Sequence, residues 1–184
     1  FNRRTSVRWS FDGDIIAYDL SELPEGAIRR LVQVLGLGAV NREMRRRRNR
    51  RPTMVIVDEF GAMMMGSQSI AEYVATIAKT GRTWALAVAV ADQEAQTFLG
   101  EHAGVHTRMI WNNATTRLVF RQDRHNAGLV IDSLRHVMHD KDTRTIMELP
   151  AGCAYLVWDW GGRTEVALGR VVLTPIERRY FLGT

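Results

Sequence analysis

Apolar and polar positions fall in blocks along this chain. The sharpest block is TMVIVDEFGAMM, residues 53–64, where Met54, Val55, Ile56 and Val57 run unbroken into Asp58 and Glu59. A short, continuous apolar run predicts a strand buried on both faces of a parallel sheet. Residues 84–91 repeat the pattern and finish in Asp92-Gln93, and residues 14–20 (DIIAYDL) read as an earlier strand. Between these runs the period changes. Ile28, Leu31, Val32, Leu35 and Val40 are spaced for a helix over 27–47, weakened in its middle by Gly36 and Gly38. Ser21 suits its cap and Pro24 its first turn, and Arg51-Pro52 stops it. Ile70, Tyr73, Val74 and Ile77 predict a second helix over 69–80, closed by Gly81.

Further along, residues 95–104 predict a short helix, and residues 107–110 and 116–120 predict strands on either side of Asn112-Asn113. A helix is expected over 126–139. Residues 154–160 and 166–173 flank Gly161-Gly162, a strong hairpin signal. Strands alternating with helices imply βαβ units: an α/β fold with a mostly parallel sheet flanked by helices and a C-terminal β-hairpin. The length of 184 residues suits one domain, 1–184.

Composition changes this picture in a few places. Hydrophobic residues at 46% and charged residues at 24% are ordinary globular values. The longest apolar run, 84–91, is far too short to span a bilayer, and residues 1–14 have no apolar stretch of the kind a signal peptide needs. Cys153 is the only cysteine, which excludes an internal disulfide and fits a reducing compartment. The net charge of +5 is concentrated: residues 42–51 carry seven Arg and one Glu, so this stretch supplies +6 and the rest of the chain −1. Such a run is a solvated face, a contact for nucleic-acid phosphates, or a surface for a partner or an anionic membrane. Among the histidines, His102 and His106 lack the glutamate of a zinc-protease helix, and His136 and His139 have no cysteine near them in sequence. Trp158 and Trp160, and the methionines 54, 63, 64 and 65, read as packing residues.

The two acid-ended strands carry the candidate chemistry. Open α/β sheets bind ligands beyond the carboxyl ends of their strands. In a nucleotide hydrolase the first acid, Asp58, holds Mg²⁺ through water and the second, Glu59, polarises the attacking water. The plainer reading makes Asp58 a cap and Glu59 a solvated side chain. Gln93 orients water or senses a terminal phosphate, or else it caps a loop. Arg82, after Gly81, is a surface arginine or a phosphate contact.

Order and spacing together resemble a known family over nearly the whole chain: the C-terminal part of the RecA-like motor domain of conjugation and type IV secretion ATPases, within the wider FtsK/HerA group. The resemblance rests on DIIAYDLSEL, on RPTMVIVDEFGAMM as the Walker B strand, on IAKTGRTWALAVAVADQ ending in a sensor glutamine, on HTRMIWNNATTRLVFRQD, and on LPAGCAYLVWDWGGRTEVALGRVVLTPIERRYF as hairpin and tail. It implies an ATP- and Mg²⁺-dependent hydrolase, with Asp58 on the metal through water and Glu59 acting on water. Gln93 then couples the terminal phosphate to movement, and Arg82 meets transition-state charge from its own subunit or a neighbour's. It also implies a hexameric ring, peripheral to the cytoplasmic face of a bacterial inner membrane, working with other secretion proteins. DNA contacts would run through Arg42, Arg45, Arg46, Arg47, Arg48, Arg50 and Arg51. Two departures stand out. No G-x-x-x-x-G-K-[ST] phosphate-binding loop occurs, so the chain is expected to be the C-terminal portion of a longer parent and inactive by itself. Asp92 stands where relatives more often carry Thr. A DNA translocase of the FtsK/HerA type and a catalytically inactive RecA-like scaffold or binding module are the alternatives.

Overall fold

A computed structural model of the chain describes residues 11, 13–20, 22–24, 26–46, 52–64 and 68–182. Ser21, Arg47, Arg48, Arg50, Arg51 and Met65 lie outside the described residues. The chain divides into two compact units, Phe1–Asp92 and Gln93–Thr184.

In the first unit, helix α1 (Ala27–Arg46) precedes strand β1 (Thr53–Val57). Two helices, α2 (Phe60–Met64) and α3 (Gln68–Thr80), and a 3₁₀ turn (Gly81–Trp84) then lead to strand β2 (Leu86–Val90). β1 and β2 pair in parallel, Thr53 opposite Leu86 and Val57 opposite Val90. Gly81 is needed in the turn, because a β-carbon there would stand 2.7 Å from the Leu86 carbonyl oxygen.

Several expectations are corrected here. Residues 16–20 have no regular structure and 13–15 bend. The apolar run 14–20 pairs with no described strand, and Ile15 is 94% exposed. β1 is buried on one face only: Met54 and Ile56 are exposed, Thr53 and Val55 half-buried, and Val57 buried. The buried face of α1 is also turned from the expected stripe. Ile28, Leu31 and Leu35 are exposed, whereas Leu37 and Met44 are buried. Met44 packs with Ile77 and Leu86, flanked by Val40, Tyr73 and Val55, and the Tyr73 hydroxyl donates to the Leu37 carbonyl at 3.4 Å. Packing against α3 and the sheet, rather than local spacing, sets the rotation of α1.

In the second unit, α4 (Gln96–Leu99) and α5 (Val105–Asn113) precede β3 (Thr116–Val119). Helices α6 (Arg124–Ser133) and α7 (Asp140–Glu148), strands β4 (Cys153–Trp160) and β5 (Arg163–Arg170), and helix α8 (Pro175–Leu182) complete it. The strands form an antiparallel sheet in the order β3-β4-β5. The expected mostly parallel sheet is therefore a parallel pair, accompanied by a three-stranded antiparallel sheet. The β4–β5 reversal is the anticipated hairpin, with Gly161 and Gly162 both at positive φ (+59° and +80°), which glycine adopts freely.

Residues 107–110, expected as a strand, are helical: Thr107 and Ile110, three apart, are the residues α5 buries. The predicted helix over 126–139 stops at Ser133, and α7 follows. The Asp142 carboxylate accepts from the His139 N–H at 2.8 Å and the Asp142 N–H donates to the His139 carbonyl at 2.8 Å, which closes the first turn of α7. The core gathers Val130 and Ile131 of α6, Ile146 of α7, Val119 of β3 and Tyr155 and Val157 of β4. Among the described residues no helix is long and apolar enough to cross a membrane.

Candidate functional site

The parallel register places the ends of β1 and β2 side by side, so Asp58, Glu59 and Asp92 come to one edge of the sheet. The strand bonding continues past the ladder. The Ala91 N–H donates to the Val57 carbonyl at 2.9 Å, and the Phe60 N–H donates to the Ala91 carbonyl at 3.0 Å. One Asp58 carboxylate oxygen accepts the Glu59 N–H at 3.0 Å. The Asp92 carboxylate accepts the Gly61 N–H. Glu59 itself has φ +50°, the left-handed region that side chains with a β-carbon rarely occupy. Phe60, fully buried, anchors the residue after it. Asp58 and Glu59 are both exposed. They border an open cavity of 1330 Å³ that runs along β1 and is also lined by residues 13–20, α1, Ala62 and Met63.

The other predicted residues are placed differently. Arg82 sits in the 3₁₀ turn that enters β2, at the amino end of the strands and so at the opposite edge from Asp58 and Glu59. Its side chain is exposed, pairs with no acid among the described residues, and borders a second cavity of 470 Å³ with Pro52, Thr53 and Ala85. Arg82 thus stands a full strand length from the acids of its own sheet. Of the basic run, Arg45 reaches the same edge. Arg45 accordingly places its guanidinium 6.0 Å from the centroid of the Trp84 ring, in the turn that holds Arg82, and donates to the Asn41 side chain at 3.2 Å. Arg42 and Arg46 are exposed.

Gln93 follows Asp92 directly and opens the second unit with an exposed side chain. Its carbonyl accepts from the Gln122 amide at 3.4 Å. Nearby, the Gln96 N–H donates to the side chain of buried Asn126 at 2.7 Å. Asp123 caps α6 through the Asn126 N–H at 2.9 Å and also accepts from the Asn126 side-chain amide, which hold its carboxyl below the usual range. The segment after Gln93 is thus tied to the start of α6. The pattern of apolar runs carried no sign of Gln122, Asn126 or the Asp92–Gly61 bond; only N-capping chemistry at Asp123 was open to sequence reading.

A Mg²⁺–nucleotide site is partly provided for. Among the described residues no three acidic, histidine or cysteine side chains gather to hold a metal by themselves. Mg²⁺ keeps several waters and takes one or two carboxylates plus phosphate oxygens, so an exposed Asp58 with one carboxylate oxygen uncommitted suits water-mediated contact. A phosphate-binding loop is missing from the sequence. Asp58 could therefore meet such an ion through water, and the sequence offers no phosphate-binding loop beside it.

No protein-family model matches the chain, and no curated protein matches it. Among solved structures, VirB4 of Thermoanaerobacter pseudethanolicus is similar in fold, with a TM-score of 0.69 and 15% sequence identity over 82% of this chain and 38% of that one. The chain therefore spans well under half the length of that structure. The mixed α/β architecture, one parallel and one antiparallel sheet, is similar to the VirB4 fold.

Proposed function

We propose that this chain is the C-terminal part of a RecA-like ATPase of the type IV secretion or conjugation class, carrying its Walker B acids and sensor glutamine. One observation carries the reading: Asp58 and Glu59 emerge together from a parallel strand, at the edge where its neighbour ends in Asp92. Fold similarity to VirB4 supports it, as does the resemblance of the sequence to secretion ATPases.

In this reading Asp58, with one oxygen fixed by the Glu59 amide, offers the other to a water on Mg²⁺. When bound, that ion neutralises charge on the phosphate oxygens. The exposed Glu59 carboxylate orients the attacking water and accepts its proton. Gln93 couples the terminal phosphate to movement of the segment tied to α6. Arg82, on the far edge of its own sheet, meets transition-state charge from a neighbouring subunit of a hexameric ring. The phosphate cradle comes from a part of the parent that this sequence does not contain. Other secretion proteins, and DNA through the arginine run, are the proposed partners, at the cytoplasmic face of the inner membrane.

Glu59→Gln in the full-length parent tests this. The shape is kept and the base is lost, so ATP should bind and turnover should fall by about 10²-fold or more. Turnover within about twofold of wild type would reject the assignment. The isolated chain should release phosphate from ATP only at background rate; steady release that Glu59→Gln abolishes would show that it needs no cradle from elsewhere.

A further inference from the structure

We propose that Asp92 is a positioning residue for Glu59, a backbone clamp in place of a contact to nucleotide or metal; this rests on the reading of Glu59 as the residue that acts on water. Glu59 holds φ +50°, and a residue with a β-carbon stays there only where its surroundings over-determine it. Three hydrogen bonds and a buried ring restrain it. On one side, Asp58 accepts the Glu59 N–H. On the other, Ala91 accepts the Phe60 N–H and Asp92 accepts the Gly61 N–H. Phe60, fully buried, closes the turn from below.

Two successive amides after Glu59 are thus tied to the two residues that follow the neighbouring strand β2. Without Asp92 the Gly61 amide loses its acceptor, and the turn is free to relax into an ordinary right-handed start for α2. The Glu59 side chain would then leave along a different direction. A carboxylate engaged on a backbone amide is also less available to a metal or a phosphate. The strand-to-strand tether therefore assigns Asp92 to geometry and leaves Asp58 and Glu59 as the exposed acids.

Two measurements test the assignment. The first is the intraresidue amide-to-α-proton NOE of Glu59, read by NMR on the 184-residue chain, which is strong relative to the sequential one only where φ is positive. It should indicate positive φ in the wild type and in Asp92→Asn, whose amide oxygen still accepts the Gly61 N–H, and negative φ in Asp92→Ala. The second is steady-state kinetics of the full-length parent. Asp92→Ala should lower kcat by about 10²-fold, as small misplacements of reacting groups do, with KM for ATP little changed. Asp92→Asn should stay within about tenfold of wild type, since a neutral acceptor is weaker than a charged one yet keeps the geometry.

Positive φ retained in Asp92→Ala would overturn the clamp, as would equal loss of kcat in both variants, which would mean that the charge itself acts. Where Asp92→Ala does not fold, Asp92→Asn decides alone, because a charge role predicts its failure. Undiminished turnover in Glu59→Gln would instead overturn the underlying functional reading, and the intraresidue NOE at Glu59 would still decide whether Asp92 holds the turn.

Discussion

Arg82 and Asp58 stand at opposite ends of the same parallel sheet. Thr53 pairs with Leu86 and Val57 with Val90, so the turn carrying Arg82 lies beside the start of β1 and Asp58 lies just past its end. Five residues of strand separate them by roughly 15 Å. An arginine on that edge can serve the acid-bearing edge only in another copy of the protein. Arginines supplied in trans are worth about 10³ to 10⁵ in rate. Mixing Arg82→Ala with Glu59→Gln subunits of the parent should therefore restore turnover that neither has alone. No recovery at any ratio, in a demonstrated mixed oligomer, would reduce Arg82 to a surface residue.

Arg45 and Arg82 share the amino edge of the sheet through Trp84, which extends the basic run of residues 42–51 onto a folded surface. If that surface meets duplex DNA, log affinity should fall by about 0.9 per tenfold rise in salt for each phosphate neutralised. Replacing Arg45, Arg46, Arg47 and Arg48 with Ser should flatten the slope by several units while the thermal transition stays in place, because Arg45 and Arg46 are exposed. Equal affinity before and after the replacement would turn attention to a protein or lipid partner.

The helix α7 that sequence periodicity overlooked gives a test of packing. Ile146 is fully buried and Met147, its neighbour, is 38% exposed. Ile146→Ala should cost about 2–5 kcal/mol, as core truncations do. Met147→Ala should stay within about 0.5 kcal/mol, as surface changes do. Chemical denaturation of the two variants measures both, and a reversed order would mean that α7 presents another face.

Asp159 sets a pH dependence. The Thr164 hydroxyl donates to it at 2.6 Å and the Arg117 guanidinium lies at 3.2 Å, and these hold its carboxyl below the usual range against the opposing effect of burial. A depressed carboxyl stabilises the fold above its unfolded pKa, about 3.9, and that contribution is lost as pH falls through the folded value. The melting temperature of Asp159→Asn should therefore lie below that of the wild type at neutral pH, with the gap closing below about pH 4. A gap that persists unchanged in acid would show that the carboxylate charge contributes nothing there.

Much of this molecule was decided locally and was therefore legible. The apolar run of β1 and the acids beyond it, the helix ending at Gly81, and the hairpin turn at Gly161-Gly162 all follow from period, from end signals and from the φ angles that glycine allows. What the chain could not announce depends on partners far away in sequence. Residues 14–20 have strand composition, but a strand exists only where another edge bonds to it, and among the described residues none does. Ile28, Leu31 and Leu35 share a face, but contact with Ile77 and Leu86 selects the face of Met44 instead. Residues 107–110 suit strand or helix by composition, and burial of Thr107 with Ile110 resolves the choice. The same holds at the site: Asp58, Glu59, Arg82 and Gln93 were visible as residue types, while parallel register alone puts Arg82 at the far edge and brings Asp92, 31 positions away, onto the amide of Gly61. Sequence determines which groups are available; only the pairing of distant strands decides which of them meet.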